Sequence, residues 1–250
     1  MRQVLPGLWL ATLPGCGWLQ PEQTADPLDL PLQQVDVAWR SRGAGGLAPV
    51  RDQLAPLLAA NPGDGRVLWR MARVRWLDGF LATDPAEARN DWETGREYAM
   101  ACLAVVPDVA AALREDGWRV TQASMVTAGP TERPCLLWGA ANGLALVEAR
   151  GPGGALDAEA ACAMVDRASA LVGPSEPGLI DWEDGTCAWW LTGDASIALP
   201  DWQKALATGN ALYARVMDAH DPAADHIPPP NPDYALEDNR AAGSPGTQRH

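Results

Sequence analysis

From about residue 33 onward, apolar residues recur every three or four positions, in segments that end at proline or glycine. This spacing places the apolar side chains of each segment on one face of an α-helix. The clearest example is a helix predicted over 66–82, whose partner begins after the capping sequence Thr83-Asp84-Pro85 and continues to Pro107. The same pattern predicts further helices near 35–39 and over 47–60, 134–150, 156–171, 178–192 and 200–220.

These helices come in pairs, and proline follows the second helix of successive pairs at positions 62, 107, 174 and 222. One helix pair for about every 34–45 residues is typical of an α-solenoid, in which each hairpin covers the apolar face of its neighbour. The longest interval leaves room for one extra element at 108–130, where Trp118–Thr121 shows a trace of β alternation. We therefore predict an all-α fold of nine or ten helices, built as stacked hairpins in a short α-solenoid or bundle.

The N-terminus has the pattern of a secretory signal. Arg2 precedes a mostly apolar stretch over 4–13, and the sequence Leu-Pro-Gly-Cys that ends at Cys16 resembles the bacterial lipobox, in which the cysteine is diacylated. The alternative is an N-terminal segment whose cysteine is incidental. The pattern predicts a lipoprotein signal peptide at 1–15, lipidation of Cys16, a tether at 16–32, a helical domain at 33–222 and a disordered tail at 223–250.

Composition narrows the classes of function. The 19 basic and 32 acidic residues give a net charge of −13, which would repel phosphate backbones and disfavours nucleic-acid binding. The chain has five cysteines, and lipidation of Cys16 would leave Cys102, Cys135, Cys162 and Cys187. Those four could form any of three disulfide pairings, or could remain unpaired buried thiols.

No constellation of catalytic residues is evident in the sequence. The three histidines all lie at or beyond the end of the last predicted helix, and no zinc-ligand motif or phosphate-binding glycine loop occurs. We therefore predict a non-catalytic protein without a cofactor or a metal. A lesser hypothesis is an enzyme that uses the acidic loop expected at 181–184.

A stripe of three arginines follows one side of the helix predicted over 66–82. Arg66, Arg70 and Arg73 are spaced i, i+4, i+7 and lie beside the apolar face. One interpretation is an ordinary solvated face. The other is a cationic surface that meets an acidic partner or lipid headgroups.

The candidate ligand- or partner-binding residues are Trp138, Asn142, Trp182, Trp189 and Trp190. They lie on first helices of predicted hairpins, which line the concave surface of a helical solenoid. Indole rings around one amide donor would suit an apolar or amphipathic ligand, or a helix of a partner protein. The alternative is core packing, because the small residues within 139–143 permit close helix contact. A buried Asn142 would then need hydrogen-bond partners for its amide.

Two segments carry a family resemblance. The sequence of 95–107 resembles the second helix of a tetratricopeptide repeat (TPR). The segment 134–143, Pro-Cys-Leu-Leu-Trp-Gly-Ala-Ala-Asn-Gly, resembles a helix of the TRAP-transporter T-component family, although Leu137 stands where that family has an aromatic residue. The order of lipobox, tether, hairpin, insertion, tryptophan-bearing helix and closing helices is also similar, over about 16–220.

The resemblance implies a periplasmic lipoprotein with TPR-like hairpins, held to the inner or outer membrane by its lipid. It would be an accessory component of a TRAP-type uptake system that meets a soluble solute-binding protein and takes part in solute transport. The family also implies a homo-oligomer. The alternative function is a TPR scaffold lipoprotein for cell-envelope assembly, or a general adaptor for protein–protein interaction.

Overall fold

The computed structural model describes residues 26–42, 46–150, 155–173, 178–193 and 195–208. Within these ranges the chain forms ten α-helices and no strand, which confirms the prediction of an all-α fold. The α-helices are α1 (Asp29–Arg40), α2 (Ala48–Ala60), α3 (Gly65–Leu81), α4 (Pro85–Ala104), α5 (Pro107–Glu115), α6 (Gln122–Met125), α7 (Arg133–Arg150), α8 (Ala155–Ala170), α9 (Leu179–Thr192) and α10 (Ala195–Ala207). In the described part of the chain, no helix combines the length and the apolar character needed to cross a membrane.

Several helix boundaries follow the signals in the sequence. Asp84 caps α4 by accepting a hydrogen bond from the backbone N–H of Ala86, and Pro85 occupies the first helical position. Two boundaries differ from expectation. Helix α1 already begins at Asp29, within the segment expected to be a tether, because Leu32 continues the apolar face of that helix into the core. Helix α10 begins before Pro200 and contains that proline in its interior.

Three hairpins form the body of the molecule, and α7 lies at its centre. The hairpins are α3/α4, α7/α8 and α9/α10, and each packs against the next. Helix α7 contacts α3, α4, α8 and α9, while α1 and α2 pack beside α3. This central position explains the composition of α7, in which every residue from 135 to 147 is buried.

Buried tryptophans connect the helices through the core. The indole of Trp76 on α3 makes edge contacts with Trp138 on α7 and Trp182 on α9, at centroid distances of 5.5 and 6.4 Å. Trp39 on α1 contacts Trp138 at 6.1 Å. These arrangements bury large apolar areas in the geometry that aromatic rings prefer. The chain has 12 tryptophans and one phenylalanine, and among the described residues the indoles of Trp39, Trp76, Trp138 and Trp182 are buried in the core.

Two disulfides join successive hairpins. Cys102 on α4 pairs with Cys135 on α7, with their Cα atoms 5.8 Å apart. Cys162 on α8 pairs with Cys187 on α9, with a Cα separation of 5.6 Å. Of the three pairings that the sequence left open, the structure has this one. Each bridge closes a loop of 33 or 25 residues, for which the chain-entropy estimate is a stabilisation of about 3.5 kcal/mol.

The arginine stripe of α3 binds α1 inside the protein. The guanidinium groups of Arg70 and Arg73 donate to the Asp36 carboxylate at 2.9 and 3.0 Å, and both arginines are buried. Arg73 also lies over the ring of Trp39, 4.2 Å from its centroid. Burial alone would raise the pKa of Asp36, but hydrogen bonds and charge from the two arginines lower it. The prediction of a solvated or partner-facing stripe is therefore wrong for these two residues.

Candidate functional site

The structure places three of the five predicted binding residues inside the core. Trp138, Asn142 and Trp182 retain 3%, 0% and 2% of their accessible surface. This location matches the core-packing alternative, because none of the three side chains lines an open surface. Their role in recognition stays a prediction, and a ligand would reach them only if helices around α7 separated.

Asn142 forms a polar contact at the centre of the molecule. Its Nδ2 donates to the carbonyl of Trp138 at 2.6 Å and to the carbonyl of Ala72 on α3 at 3.1 Å. Its Oδ1 accepts no hydrogen bond from the described residues. The side chain lies directly against Gly95 of α4, where any Cβ atom would overlap Oδ1. Asn142 therefore ties α7 to α3 and fills the space left by a glycine on α4.

The other two predicted residues form a separate group. Trp189 and Trp190 are half-buried near the end of α9, with ring centroids 5.0 Å apart. Trp189 also contacts Trp202 of α10 at 6.4 Å. The five predicted residues therefore do not form one surface. The predicted lipidation site, Cys16, lies outside the described residues.

The acidic segment 181–184 lies on helix α9, as the helix predicted over 178–192 implies, and not in the loop that the enzyme hypothesis assumed. Within it, Glu183 is fully buried and its carboxyl oxygens have no hydrogen-bond partner among the described residues. Burial, the charge of Asp184 and an opposing contribution from Arg133 leave the pKa of Glu183 well above its ordinary value. A sealed carboxyl group of this kind cannot contact a substrate. The described residues also include no group of acidic, histidine or cysteine side chains that could hold a metal ion.

A half-open cleft, which we call the α4–α8 cleft, is the candidate binding site. Its volume is about 970 Å³, at the upper end of the range for small-molecule pockets. It is bounded by α4, by the connection that leads into α6, and by α8, with Gly139 and Gly143 contributed by α7. Met100 and Met164 give it an apolar, deformable lining. Helix α7, which carries the segment 134–143, thus contributes to the cleft through its glycines and not through Trp138 or Asn142.

Two polar contacts connect the elements that bound the cleft. Arg96 on α4 forms an ion pair with Asp157 on α8, with an N–O distance of 3.2 Å. On the side of α6, the Nε2 of Gln122 donates to Asp166 of α8 at 3.0 Å. All four residues line the cleft. The first contact joins the hairpins α3/α4 and α7/α8 outside the apolar core, and the second joins α6 to α8.

Trp118 lies at the cleft with 56% of its surface exposed. Its backbone is left-handed, with φ of +63°, and it follows Gly117, whose φ is +65°. Such a conformation costs a non-glycine residue about 1–2 kcal/mol. The turn is held by a hydrogen bond from the Trp118 N–H to the carbonyl of Leu113, and by the Thr121 cap of α6. The fold therefore fixes an exposed indole beside an open cavity.

The chain matches no protein-family model, no curated protein and no solved structure.

Proposed function

We propose that this chain is a non-catalytic, periplasmic TPR-like lipoprotein that serves as an accessory component of a TRAP-type uptake system and binds its solute-binding protein. The resemblance of 134–143 to the T-component family supports the proposal. That segment belongs to α7, the helix around which the other hairpins pack. A family motif at the centre of a fold specifies packing, which is consistent with its burial here.

The pairing of the cysteines supports an extracytoplasmic location. Disulfides persist in oxidising compartments such as the periplasm and are rare in the cytosol. The two bridges use the four cysteines of the helical body, and this leaves Cys16 as the fifth. A lipid anchor requires a cysteine at such a lipobox-like sequence that the bridges of the helical body do not use. We propose that Cys16 carries that anchor and holds the protein at the inner or outer membrane.

The observation that carries the binding role is the α4–α8 cleft. It offers a cavity of about 970 Å³ with an apolar lining, an exposed indole and charged groups around it. Pockets with these features bind small molecules or side chains of a partner. In an accessory component, such a site would engage the transported solute or the protein that delivers it.

The decisive experiment identifies the proteins that this chain binds at the membrane. The full chain is expressed in its host with an affinity tag, cross-linked in intact cells, and purified from the membrane fraction. We expect enrichment of a solute-binding protein whose gene is adjacent to a permease gene. Cys16→Ser should move the tagged protein to the soluble fraction while the cross-link to the solute-binding protein persists. Enrichment of envelope-assembly proteins instead would favour the scaffold alternative, and retention of Cys16→Ser in the membrane would contradict lipidation.

A further inference from the structure

We infer that the α4–α8 cleft binds an organic cation that carries an apolar or aromatic body. This inference deepens the proposed function, since it rests on the cleft being the binding site and adds the chemical class of its ligand. Two features of the cavity point to this class of ligand: the balance of paired and unpaired charges around it, and the position of Trp118 beside it.

The charged side chains that line the cleft leave an excess of negative charge. They are Arg96, Glu97, Arg119, Asp157, Glu159 and Asp166. Arg96 and Asp157 neutralise each other in their ion pair, and Asp157 is bound by Arg150 as well. Of the remaining four residues, three are acidic, and none forms an ion pair within the described part of the chain.

The carboxylates lie on both sides of the cavity. Glu97 is exposed on α4, while Glu159 and Asp166 are exposed on α8, seven positions apart and therefore on the same helix face. The field of Asp166 extends beyond the cleft. Burial, followed by the charges of Asp201 and Asp166, raises the pKa of Asp184 to about 6. Among the described residues, a cation that enters between α4 and α8 would meet carboxylates without ion pairs on both sides, and these outnumber the one unpaired lining cation, Arg119.

The other contacts favour a cation with an apolar body. An exposed indole attracts ammonium and guanidinium groups through the face of its ring. Met100 and Met164 provide polarisable, adaptable surface for an alkyl or aryl group. Arg119 is the one lining cation without an ion pair among the described residues, and it is outnumbered by the carboxylates. An anionic ligand would have one favourable contact and three unfavourable ones.

A matched pair of probes tests the sign of the charge. The full chain with Cys16→Ser is titrated calorimetrically with 4-phenylbutylammonium and with 4-phenylbutyrate, which share a body and differ in charge. We expect the ammonium to bind at least about tenfold more tightly, a difference of about 1.4 kcal/mol. If the carboxylate binds as tightly as the ammonium or more tightly, the inference is wrong.

Variants then locate the binding. Because these side chains are exposed, Trp118→Ala and the double variant Glu97→Gln/Glu159→Gln should fold normally and weaken ammonium binding by about fivefold or more. The matched control is Asp52→Asn/Glu87→Gln, which removes the same two charges at exposed positions outside the cleft.

Equal weakening in the charge-matched control would mean that the net charge alone attracts the probe, and would overturn the inference. The result also separates the inference from the proposed function. If the ammonium does not bind while the solute-binding protein is still cross-linked in cells, the ligand class is wrong and the accessory role stands. If the ammonium binds in the cleft but no solute-binding protein is enriched, the ligand class stands and the accessory role is wrong.

Discussion

The contact between Gly95 and Asn142 gives the sharpest prediction about the fold. A Cβ at Gly95 would overlap the Oδ1 of Asn142 and lie 2.8 Å from its Nδ2. Gly95→Ala must therefore displace the amide from the core or push α4 away from α7. Displacement would also weaken the bonds from Nδ2 to the carbonyls of Trp138 and Ala72.

The expected cost can be worked out from these contacts. Overpacking costs about 1–3 kcal/mol, and two weakened hydrogen bonds add about 1 kcal/mol each. The higher helix propensity of alanine offsets about 1 kcal/mol of this destabilisation. Gly95→Ala should therefore lower the free energy of unfolding by about 2–4 kcal/mol. In urea unfolding followed by circular dichroism, the midpoint should fall by about 1 M for an m-value of about 2–3 kcal/mol/M.

A double-mutant cycle distinguishes this clash from a general effect of the substitution. Asn142→Ala removes the side chain that the new methyl group would meet, so the double variant should be more stable than the sum of the single effects predicts, by at least about 1.5 kcal/mol. Gly65→Ala is the control, because its Cβ would meet Cys102 Sγ at 3.4 Å, an ordinary contact. It should leave stability unchanged or raise it slightly, because alanine favours the helix, and it should add independently to Asn142→Ala. If Gly95→Ala unfolds at the wild-type midpoint, or if the coupling is below about 0.5 kcal/mol, the packing described here is wrong.

Three further perturbations test separate parts of the structure. Asp36→Asn should lower the free energy of unfolding by about 1–3 kcal/mol at pH 7, measured in urea, because it leaves the buried cations of Arg70 and Arg73 with weaker partners. Because the pKa of Glu183 is raised in the folded state, the folded protein holds this proton more tightly than the unfolded chain does. The free energy of unfolding should therefore fall as pH rises from 5 to 8. Glu183→Gln should make that fall smaller, as measured by the midpoints of urea unfolding at each pH. Replacing Cys102 and Cys135 together by serine should lower the melting temperature in calorimetry, at a cost of about 2–5 kcal/mol, and an unchanged temperature would contradict the pairing.

The sequence predicts the helices well because their signals are local. Apolar spacing and the cap at Asp84 locate α3 and α4 to within a few residues, since both depend on neighbours in the chain. The sequence predicts the structure of the insertion after Pro107 less well. Trp118 looks like part of a strand by alternation, but it occupies a left-handed turn that depends on its contact with Leu113. A tryptophan directly after a glycine is compatible with such a turn, but the alternation over 118–121 does not indicate it.

The arginines of α3 show why a helical pattern does not reveal its partner. Their spacing is compatible with solvent, with a lipid surface or with another helix. Which of these surroundings the arginines have depends on Asp36, which lies 34 residues before Arg70 and on a different helix. Long-range ion pairs of this kind follow from how hairpins stack, and the stacking is set by apolar faces that many sequences share. The same limit applies to the disulfides, whose pairing depends on the order of hairpins in space.

Asn142 depends both on local signals in the sequence and on long-range contacts between helices. Its position among small residues indicates close packing, and a buried amide needs hydrogen-bond partners in any fold; among the described residues, Nδ2 of Asn142 has them and Oδ1 does not. The acceptor that meets the requirement on α3 is a backbone carbonyl, at Ala72, and carbonyls leave no mark in a sequence. The glycine that makes room for the side chain, Gly95, lies on a third helix. A motif that resembles a family signature can therefore record how α3, α4 and α7 meet, while the proposed binding site, the α4–α8 cleft, is lined by less distinctive residues such as Trp118.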